Sequence, residues 1–297
     1  MNDIIFTSAA ATDGRLPRVR RLFWTIAGSC ALGGLYAGRI SRSWIRFARL
    51  DMPLPNLGAA LEGAKLIHIS DLHCSPIVME GYLRQIIRHL NDERPAFVAI
   101  TGDFVTGGTH YAKRVARLLG ELQVTDARIA CLGNHDFGIY HPRGHGLMRQ
   151  LPGYLSRRLF DAGVHTLRNQ HAIFRRGDDA IQFVGVDDMW SDDYSPEAAF
   201  AEAHVGLPTV ALAHNPDAAH HMISLGAHWV LSGHTHGNPA GVSRLRDAVF
   251  PVEKKHYHGG YYGVDGGHLY VNRGLSYARR LQLNKRPEVT VFTLRRA

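Results

Sequence analysis

The chain has 297 residues, enough for one large domain or two small ones, and its 45% hydrophobic content excludes a disordered or low-complexity protein. Its three cysteines are far apart and form no C-x-x-C pair, which argues against a disulfide scaffold and a cysteine-rich zinc module. The formal charge of +8 suggests a polyanionic partner. Where the charged residues lie along the chain decides whether that interpretation holds.

The excess positive charge lies at the start of the chain. Residues 1–50 contain eight arginines and two aspartates, a net charge of +6, which leaves +2 for the other 247 residues. Because the remainder is nearly neutral, we expect no nucleic-acid partner and attribute the charge to a membrane surface.

An uncharged stretch, residues 22–38, lies between Arg21 and Arg39. As a helix it would be about 25 Å long, slightly short of a ~30 Å hydrocarbon core. Its terminal position and flanking arginines predict a membrane anchor or an export signal; the alternative is a buried helix of a globular domain. Residues 20–23 also fit the R-R-x-F core of a twin-arginine export signal, but no A-x-A cleavage site follows, which favours an uncleaved anchor. Four arginines on each side of the stretch leave its orientation open.

The next arginines predict a short amphipathic helix. Basic and apolar residues recur there every three or four positions, namely Arg39, Arg42, Arg46 and Arg49, and Ile40, Trp44 and Phe47. This spacing is typical of a basic helix on a membrane surface, so residues 15–50 are expected to contact the membrane; an ordinary solvated helix face is the alternative. Pro53 and Pro55 then indicate a linker over residues 51–64.

From residue 65 to residue 297, apolar strands and amphipathic helices alternate. The strands are predicted at Leu66–Ser70, Phe97–Thr101, Arg128–Leu132, Ile181–Val186, Thr209–Ala213 and His228–Ser232. The helices are predicted near Glu80–Asn91, Tyr111–Leu122, Gly153–Ala162, Pro196–Ala203 and Asp217–Leu225. This alternation predicts an α/β fold, in which ligands usually bind beyond the carboxyl ends of the strands.

Five of these strands run directly into residues that can bind metal. They are followed by Asp71-Leu72-His73, Gly102-Asp103, Gly133-Asn134-His135-Asp136, His214 and Gly233-His234-Thr235-His236. Residues two apart in an extended chain point to the same side, so each D-x-H or H-x-H pair can converge on one centre. Carboxylate, amide and imidazole ligands without thiolates suit Mn²⁺, Fe or Zn²⁺. The Asp187-Asp188 pair after another strand is interpreted as a structural cap or turn.

With these five motifs in this order, residues 60–295 resemble the calcineurin-like metallophosphoesterases. The resemblance implies a four-layer sandwich, in which two packed β-sheets are flanked by helices, with two divalent metal ions at one edge. By motif, Asp71, His73 and His236 would bind one ion, Asp103 would bridge both, and Asn134, His214 and His234 would bind the second. His135 would face the phosphate without binding metal, and Asp136 would orient the His135 imidazole. Such a centre hydrolyses phosphate esters through a water activated by the two ions.

The residues that follow the motifs indicate which branch of the family the chain resembles. Residues 104–108 read F-V-T-G-G where Ser/Thr protein phosphatases have D-R-G, so a protein phosphatase is not expected. Residues 270–275 and 287–290 match the Y-V-x-R-G-L and P-E-(V/I)-T segments of bacterial membrane-associated phosphoesterases, a group that includes UDP-diacylglucosamine pyrophosphatases. One departure is Gly237-Asn238-Pro239, where that group usually has G-G-Q.

The resemblance therefore implies a phosphodiesterase or pyrophosphatase at a bacterial inner or cytoplasmic membrane. Its substrate would be a phosphate ester, and the hypothesis we favour is a lipid-linked one. A nuclease or nucleotide phosphodiesterase on the same fold is the enzymatic alternative. A catalytically inactive binding scaffold is the alternative from another class. No protein partner is inferred.

Overall fold

The computed structural model describes residues 15–35, 44–141, 143–144, 146, 148–237, 257–276 and 286–297. The contacts between residues divide the chain into two units, Met1–Trp44 and Ile45–Ala297.

In the first unit, residues Arg15–Leu35 form helix α1. Large apolar side chains are exposed on it, namely Leu22, Phe23, Trp24, Ile26 and Leu32. Within the described ranges, no helix combines the length and the apolar composition that crossing a membrane requires. A transmembrane segment over residues 22–38 is therefore not supported, and residues 36–38 lie outside the described ranges.

The predicted amphipathic helix is wrong where it can be checked. Residues Arg46–Leu54 form strand β1, in which Ala48, Met52 and Leu54 are buried, while residues 36–43 lie outside the described ranges. The strand is stabilised by parallel pairing with the last strand of the chain, over 230 residues away, and this pairing outweighs the helical spacing of the arginines. Residues 46–50 are therefore part of a sheet and not of an amphipathic helix.

The predicted linker over residues 51–64 is also part of the folded unit. Its first four residues belong to β1, and a 3₁₀ turn at Ala59–Leu61 follows. Leu57 and Leu61 are buried against the core, so this segment packs instead of separating two domains.

In the second unit, the described residues alternate between strands and helices as expected over residues 65–161 and 179–232, whereas three strands follow one another over residues 164–185 and three more lie within residues 260–296. The helices are α2 (Glu80–Asp92), α3 (Thr109–Leu119), α4 (Leu151–Asp161), α5 (Pro196–Phe200) and α6 (Ala219–Ser224). The strands after β1 are β2 (Lys65–Ile69), β3 (Phe97–Thr101), β4 (Ala127–Cys131), β5 (Val164–Thr166), β6 (Gln170–Arg176), β7 (Asp179–Gly185), β8 (Thr209–Leu212), β9 (Trp229–Ser232), β10 (Gly260–Val264), β11 (Gly267–Val271) and β12 (Glu288–Arg296).

The strands form two mixed six-stranded sheets, with the orders β1-β12-β2-β3-β4-β5 and β10-β11-β9-β8-β7-β6. Strands β2 to β5 are parallel in the first sheet, and β7, β8, β9 and β11 are parallel in the second. Their central strands are largely apolar because both faces are covered, as in Phe97–Thr101, where every residue is buried.

Three hydrophobic clusters define the layers. One lies between the sheets and includes Leu66, Phe97, Phe183, Trp229 and Phe292. A second packs α2, α3 and α4 on the first sheet, and a third packs α5 and α6 on the second sheet. The result is the expected order of helices, sheet, sheet and helices.

Candidate metal centre

All five sequence motifs lie at the carboxyl ends of parallel strands, where the two sheets meet. β2, β3 and β4 of the first sheet lead to Asp71, Asp103 and Asn134, and β8 and β9 of the second lead to His214 and His234. The carboxyl ends of parallel strands share one edge, so residues distant in sequence come together there. Contacts as short as 2.7 Å join the two sheets at this edge, between the Thr101 carbonyl oxygen of one and His214 Nδ1 of the other.

The backbone at this edge is unusual for residues that are not glycine. Five of the residues expected to bind metal have positive φ angles, namely Asp71 (52°), His73 (44°), Asp103 (54°), His234 (69°) and His236 (53°). Such conformations cost of order 1–3 kcal/mol each and are found mainly at functional sites. They turn the chain sharply at the strand ends and aim these side chains at a common centre.

The first half of the centre contains Asp71, His73, Asp103 and His236. One nitrogen or oxygen atom from each residue lies within 4.8 Å of the others. The Nε2 atoms of His73 and His236 are 3.2 Å apart, and His236 Nε2 is 3.4 Å from Asp71 Oδ1. Asp71 Oδ1 is buried and accepts no hydrogen bond from the described residues. A buried carboxylate oxygen facing two imidazole nitrogens fits a divalent cation, so the residues present match the metal expected here.

The second half shares Asp103 with the first. Asp103 Oδ2 lies 3.3 Å from His73 Nε2 and 3.3 Å from His214 Nε2. His214 Nδ1 contacts the Thr101 carbonyl oxygen at 2.7 Å, and donating to it fixes the tautomer that leaves Nε2 open for a metal.

Asn134 and His234 complete this half. Asn134 donates its Nδ2 to the Ile139 carbonyl oxygen at 2.6 Å, which turns Oδ1 toward His234 Nδ1, 3.1 Å away. All seven expected ligands are thus linked by contacts around Asp103.

The two expected catalytic residues have different surroundings. His135 is buried against the centre, with its Nε2 4.0 Å from Asp103 Oδ2 and its ring edge-to-face with that of His73. Asp136 was expected to orient His135, but the contacts described for its carboxylate go to the backbone amides of Phe104, Val105 and Gly133 at 2.9–3.2 Å. Asp136 therefore ties the loop after β3 to the loop after β4.

The protonation of His73 and Asp103 suits metal binding, whereas burial is outweighed at His214 by the nearby Asp103 carboxylate, which raises the pKa of that imidazole well above its usual value. Burial lowers the pKa of His73 to about 3, which leaves the imidazole neutral. Burial alone would raise the pKa of Asp103, but the imidazoles of His214, His135 and His73 lower it well below its usual value. A neutral imidazole and an ionised carboxylate are the forms that bind metal.

The motif glycines serve two different needs. Gly102 has a φ of +72°, which allows a tight turn, and an added Cβ there would also lie 2.5 Å from the Gly133 backbone nitrogen. Gly133 and Gly233 are needed for space instead, because an added Cβ would lie 2.4 Å from Asp103 Oδ1 and 1.8 Å from Ser70 Oγ, respectively. Gly274, which no motif indicated as a site residue, has a φ of +76° and would place its Cβ 2.7 Å from Asp71 Cβ.

Sequence analysis missed several residues that support the centre. Thr106 Oγ1 lies 2.7 Å from His73 Nδ1, and the Trp190 ring lies edge-to-face on the His234 ring with centroids 4.7 Å apart. Trp190 follows Asp187-Asp188, which end strand β7 beside β8 and so lie at the same sheet edge. That strand-end position was the one available signal. Of the departure at residues 237–239, only Gly237 is described, and its backbone packs on the side chain of Arg273.

The fold and the centre at its strand ends define a metallophosphoesterase. Residues 64–238 match the family model described as calcineurin-like phosphoesterase, and the chain belongs to that family. It is 28% identical to the UDP-2,3-diacylglucosamine pyrophosphatase LpxG of Chlamydia trachomatis, over 90% of this chain and 94% of that protein. It is 29% identical to the phosphodiesterase YaeI of Escherichia coli, over 91% and 95% of the two chains. It is 30% identical to the uncharacterised metallophosphoesterase YkuE of Bacillus subtilis, over 79% and 80%.

Proposed function

We propose that this metallophosphoesterase binds two divalent metal ions and hydrolyses a phosphodiester or pyrophosphate bond. The observation that carries the proposal is the position of Asp103, whose Oδ2 lies 3.3 Å from an imidazole nitrogen of each half of the centre. A carboxylate oxygen shared in this way suits a ligand that bridges two cations.

The residues divide between two ions as follows. Asp71, His73 and His236 would hold one, Asn134, His214 and His234 the other, and Asp103 both, with Mn²⁺, Fe or Zn²⁺ as the candidates. When bound, the ions supply positive charge to the phosphate oxygens and lower the pKa of a coordinated water. His135 lies beside Asp103 without belonging to either ligand set, and it is assigned to stabilise the phosphate and protonate the leaving oxygen. Its backbone amide also donates to Asp103 Oδ1 at 2.9 Å, which holds the bridging carboxylate in place.

A lipid-linked diphosphate at a bacterial inner or cytoplasmic membrane is the proposed natural substrate. The support is the similarity to proteins named UDP-2,3-diacylglucosamine pyrophosphatase and the exposed apolar side chains of α1. Phe23 and Trp24 are each more than 60% exposed, and Arg20 and Arg21 precede them on the same helix. Aromatic residues beside arginines suit binding at the surface of an anionic membrane.

A hydrolysis panel with the metal-loaded full-length protein tests the proposal. The substrates are bis(4-nitrophenyl) phosphate, 4-nitrophenyl phosphate, UDP-diacylglucosamine in anionic vesicles, and single-stranded DNA. We expect hydrolysis of the diester and of the lipid-linked diphosphate, and co-sedimentation of the protein with the vesicles. Activity on the monoester alone would refute the diesterase assignment. Hydrolysis of DNA with strongly salt-dependent binding would favour the nuclease, and no turnover of any substrate would favour the inactive scaffold.

A further inference from the structure

A cavity of about 420 Å³ adjoins the second half of the metal centre. Its apolar lining includes Phe137, Ile139, Pro152 and Trp190. Trp190 is shared with the centre, because it lines the cavity and its ring lies edge-to-face with the ring of His234. Ile139 is also tied to the centre, since its carbonyl oxygen accepts the hydrogen bond from Asn134.

The walls of this cavity are held by contacts of their own. The guanidinium of Arg168 lies 5.6 Å from the centroid of the Phe137 ring, and it pairs with Asp187 and with Asp193 at the rim. On the opposite wall, Asp188 Oδ1 accepts a hydrogen bond from the Trp190 amide at 2.9 Å. Side chains braced in this way form a pocket before any ligand arrives, which lowers the entropy cost of binding.

The size and polarity of the cavity indicate which class of ligand it binds. Its volume is within the ~300–1,000 Å³ range of small-molecule pockets and is far more than a phosphate group fills. Charges of both signs lie around it, because Arg149 and Asp192 line it and Arg168 pairs with Asp187 and Asp193. An uncharged ring suits such a site, with its face against Trp190 and its polar substituents toward the rim.

We propose that this cavity binds an uncharged, ring-sized organic group attached to the scissile phosphate, and that Trp190 is the residue that selects it. The proposal rests on the proposed function, in which the neighbouring metal centre holds the phosphate. It assigns the pocket a specificity role, so that esters with a ring next to the phosphate bind more tightly than esters with a methyl group there.

Two phosphonates test the pocket independently of hydrolysis, because their C–P bond is not cleaved. Calorimetry on the full-length, Mn²⁺-loaded protein gives the dissociation constants of phenylphosphonate and methylphosphonate. We expect phenylphosphonate to bind about 10-fold more tightly, a preference that falls to about 2-fold or less in Trp190→Ala and is partly restored in Trp190→Phe. Phe160→Ala is the matched control, since Phe160 is a 63% exposed aromatic residue of α4, and it should leave the preference unchanged.

The possible outcomes distinguish a failure of the pocket proposal from a failure of the proposed function. Three results would overturn the proposal that the cavity binds a ring. They are equal affinities for the two phosphonates in the wild type, no binding of either phosphonate, and an unchanged preference in Trp190→Ala. An equal loss of both affinities in Trp190→Ala leaves the preference unchanged, and it would mean that Trp190 only positions His234. A preference that depends on Trp190, together with no hydrolysis of any substrate of the panel, would support the pocket and refute the proposed function.

Discussion

Gly133, which directly follows the predicted β4 segment, leaves no room for a side chain beside Asp103. A Cβ atom on Gly133 would lie 2.4 Å from Asp103 Oδ1, whereas ordinary contacts begin at 3.4 Å, so the Asp103 carboxylate must move by about 1 Å. The backbone of Gly133 is extended (φ −107°, ψ 172°) and suits alanine, so the effect of Gly133→Ala comes from this overlap and from those with the Asp103 backbone nitrogen at 2.6 Å and His214 Cδ2 at 2.9 Å. Because a misplacement of ~1 Å can cost about 100-fold in rate, we expect kcat/KM to fall about 100-fold, or about 2.7 kcal/mol.

The assay is the steady-state hydrolysis of bis(4-nitrophenyl) phosphate across a Mn²⁺ titration, with thermal unfolding of each variant measured in parallel. Gly153→Ala is the matched control, because its added Cβ meets no atom within 4 Å on helix α4. This control should keep full activity and gain about 0.5–1 kcal/mol of stability. The reasoning fails if Gly133→Ala keeps more than a third of the wild-type kcat/KM at saturating metal.

Three further predictions concern the bridging carboxylate and strand β1. Asp103→Asn should abolish hydrolysis while circular dichroism shows an intact fold, and more than a tenth of wild-type turnover would remove Asp103 from the bridging role. Met52→Ala should lower the free energy of unfolding in urea by about 2–4 kcal/mol, since Met52 is fully buried, whereas Met79→Ala, at a 64% exposed methionine, should change it by less than about 0.5 kcal/mol; equal losses would contradict the buried strand. Hydrogen bonding from Arg49 lowers the pKa of Glu93 to about 2, so this pairing stabilises the fold above the ordinary pKa of 4.5 and is lost as the pH falls through about 2. As the pH falls from 4.5 to about 2, the free energy of unfolding of Glu93→Gln should therefore decrease by about 1 kcal/mol less than that of the wild type. Parallel curves of unfolding free energy against pH would refute the stabilising role of the Arg49–Glu93 pair.

Local signals account for what could be predicted of the fold and the site. The strand predicted at Phe97–Thr101 has those bounds, and the helix predicted at Glu80–Asn91 ends one residue later. Both follow from hydrophobic patterns within a few residues. The candidate ligands were predictable for a related reason, since each motif directly follows such a strand, and parallel strands bring their ends to one edge.

Features that depend on distant partners could not be predicted. The arginines of β1 repeat with helical spacing, and the strand exists because Phe47 and its neighbours pair with residues near Val289. Likewise, the strand-end position of Asp187-Asp188 indicates only that Trp190 lies near the sheet edge. The contact of its ring with His234 forms only when the loop after β7 and the loop after β9 meet. In β1, tertiary pairing outweighed the local helical propensity. At Trp190, the contact with His234 depends on the tertiary structure.

The place of β12 between β1 and β2 governs how the chain can be folded during its synthesis. The first two strands of the domain are made early, yet they do not pair with each other, and each needs Glu288–Arg296 as its neighbour. At ribosomal rates of about 5–20 residues per second, β1 waits roughly 10–50 s for that partner. During this interval the nascent chain presents β1 and one edge of β2 without the strand that covers them, which is the condition under which chaperones and aggregation compete for a polypeptide. The strand Glu288–Arg296, made long after β1 and β2, therefore closes the sheet that carries Asp71, Asp103 and Asn134.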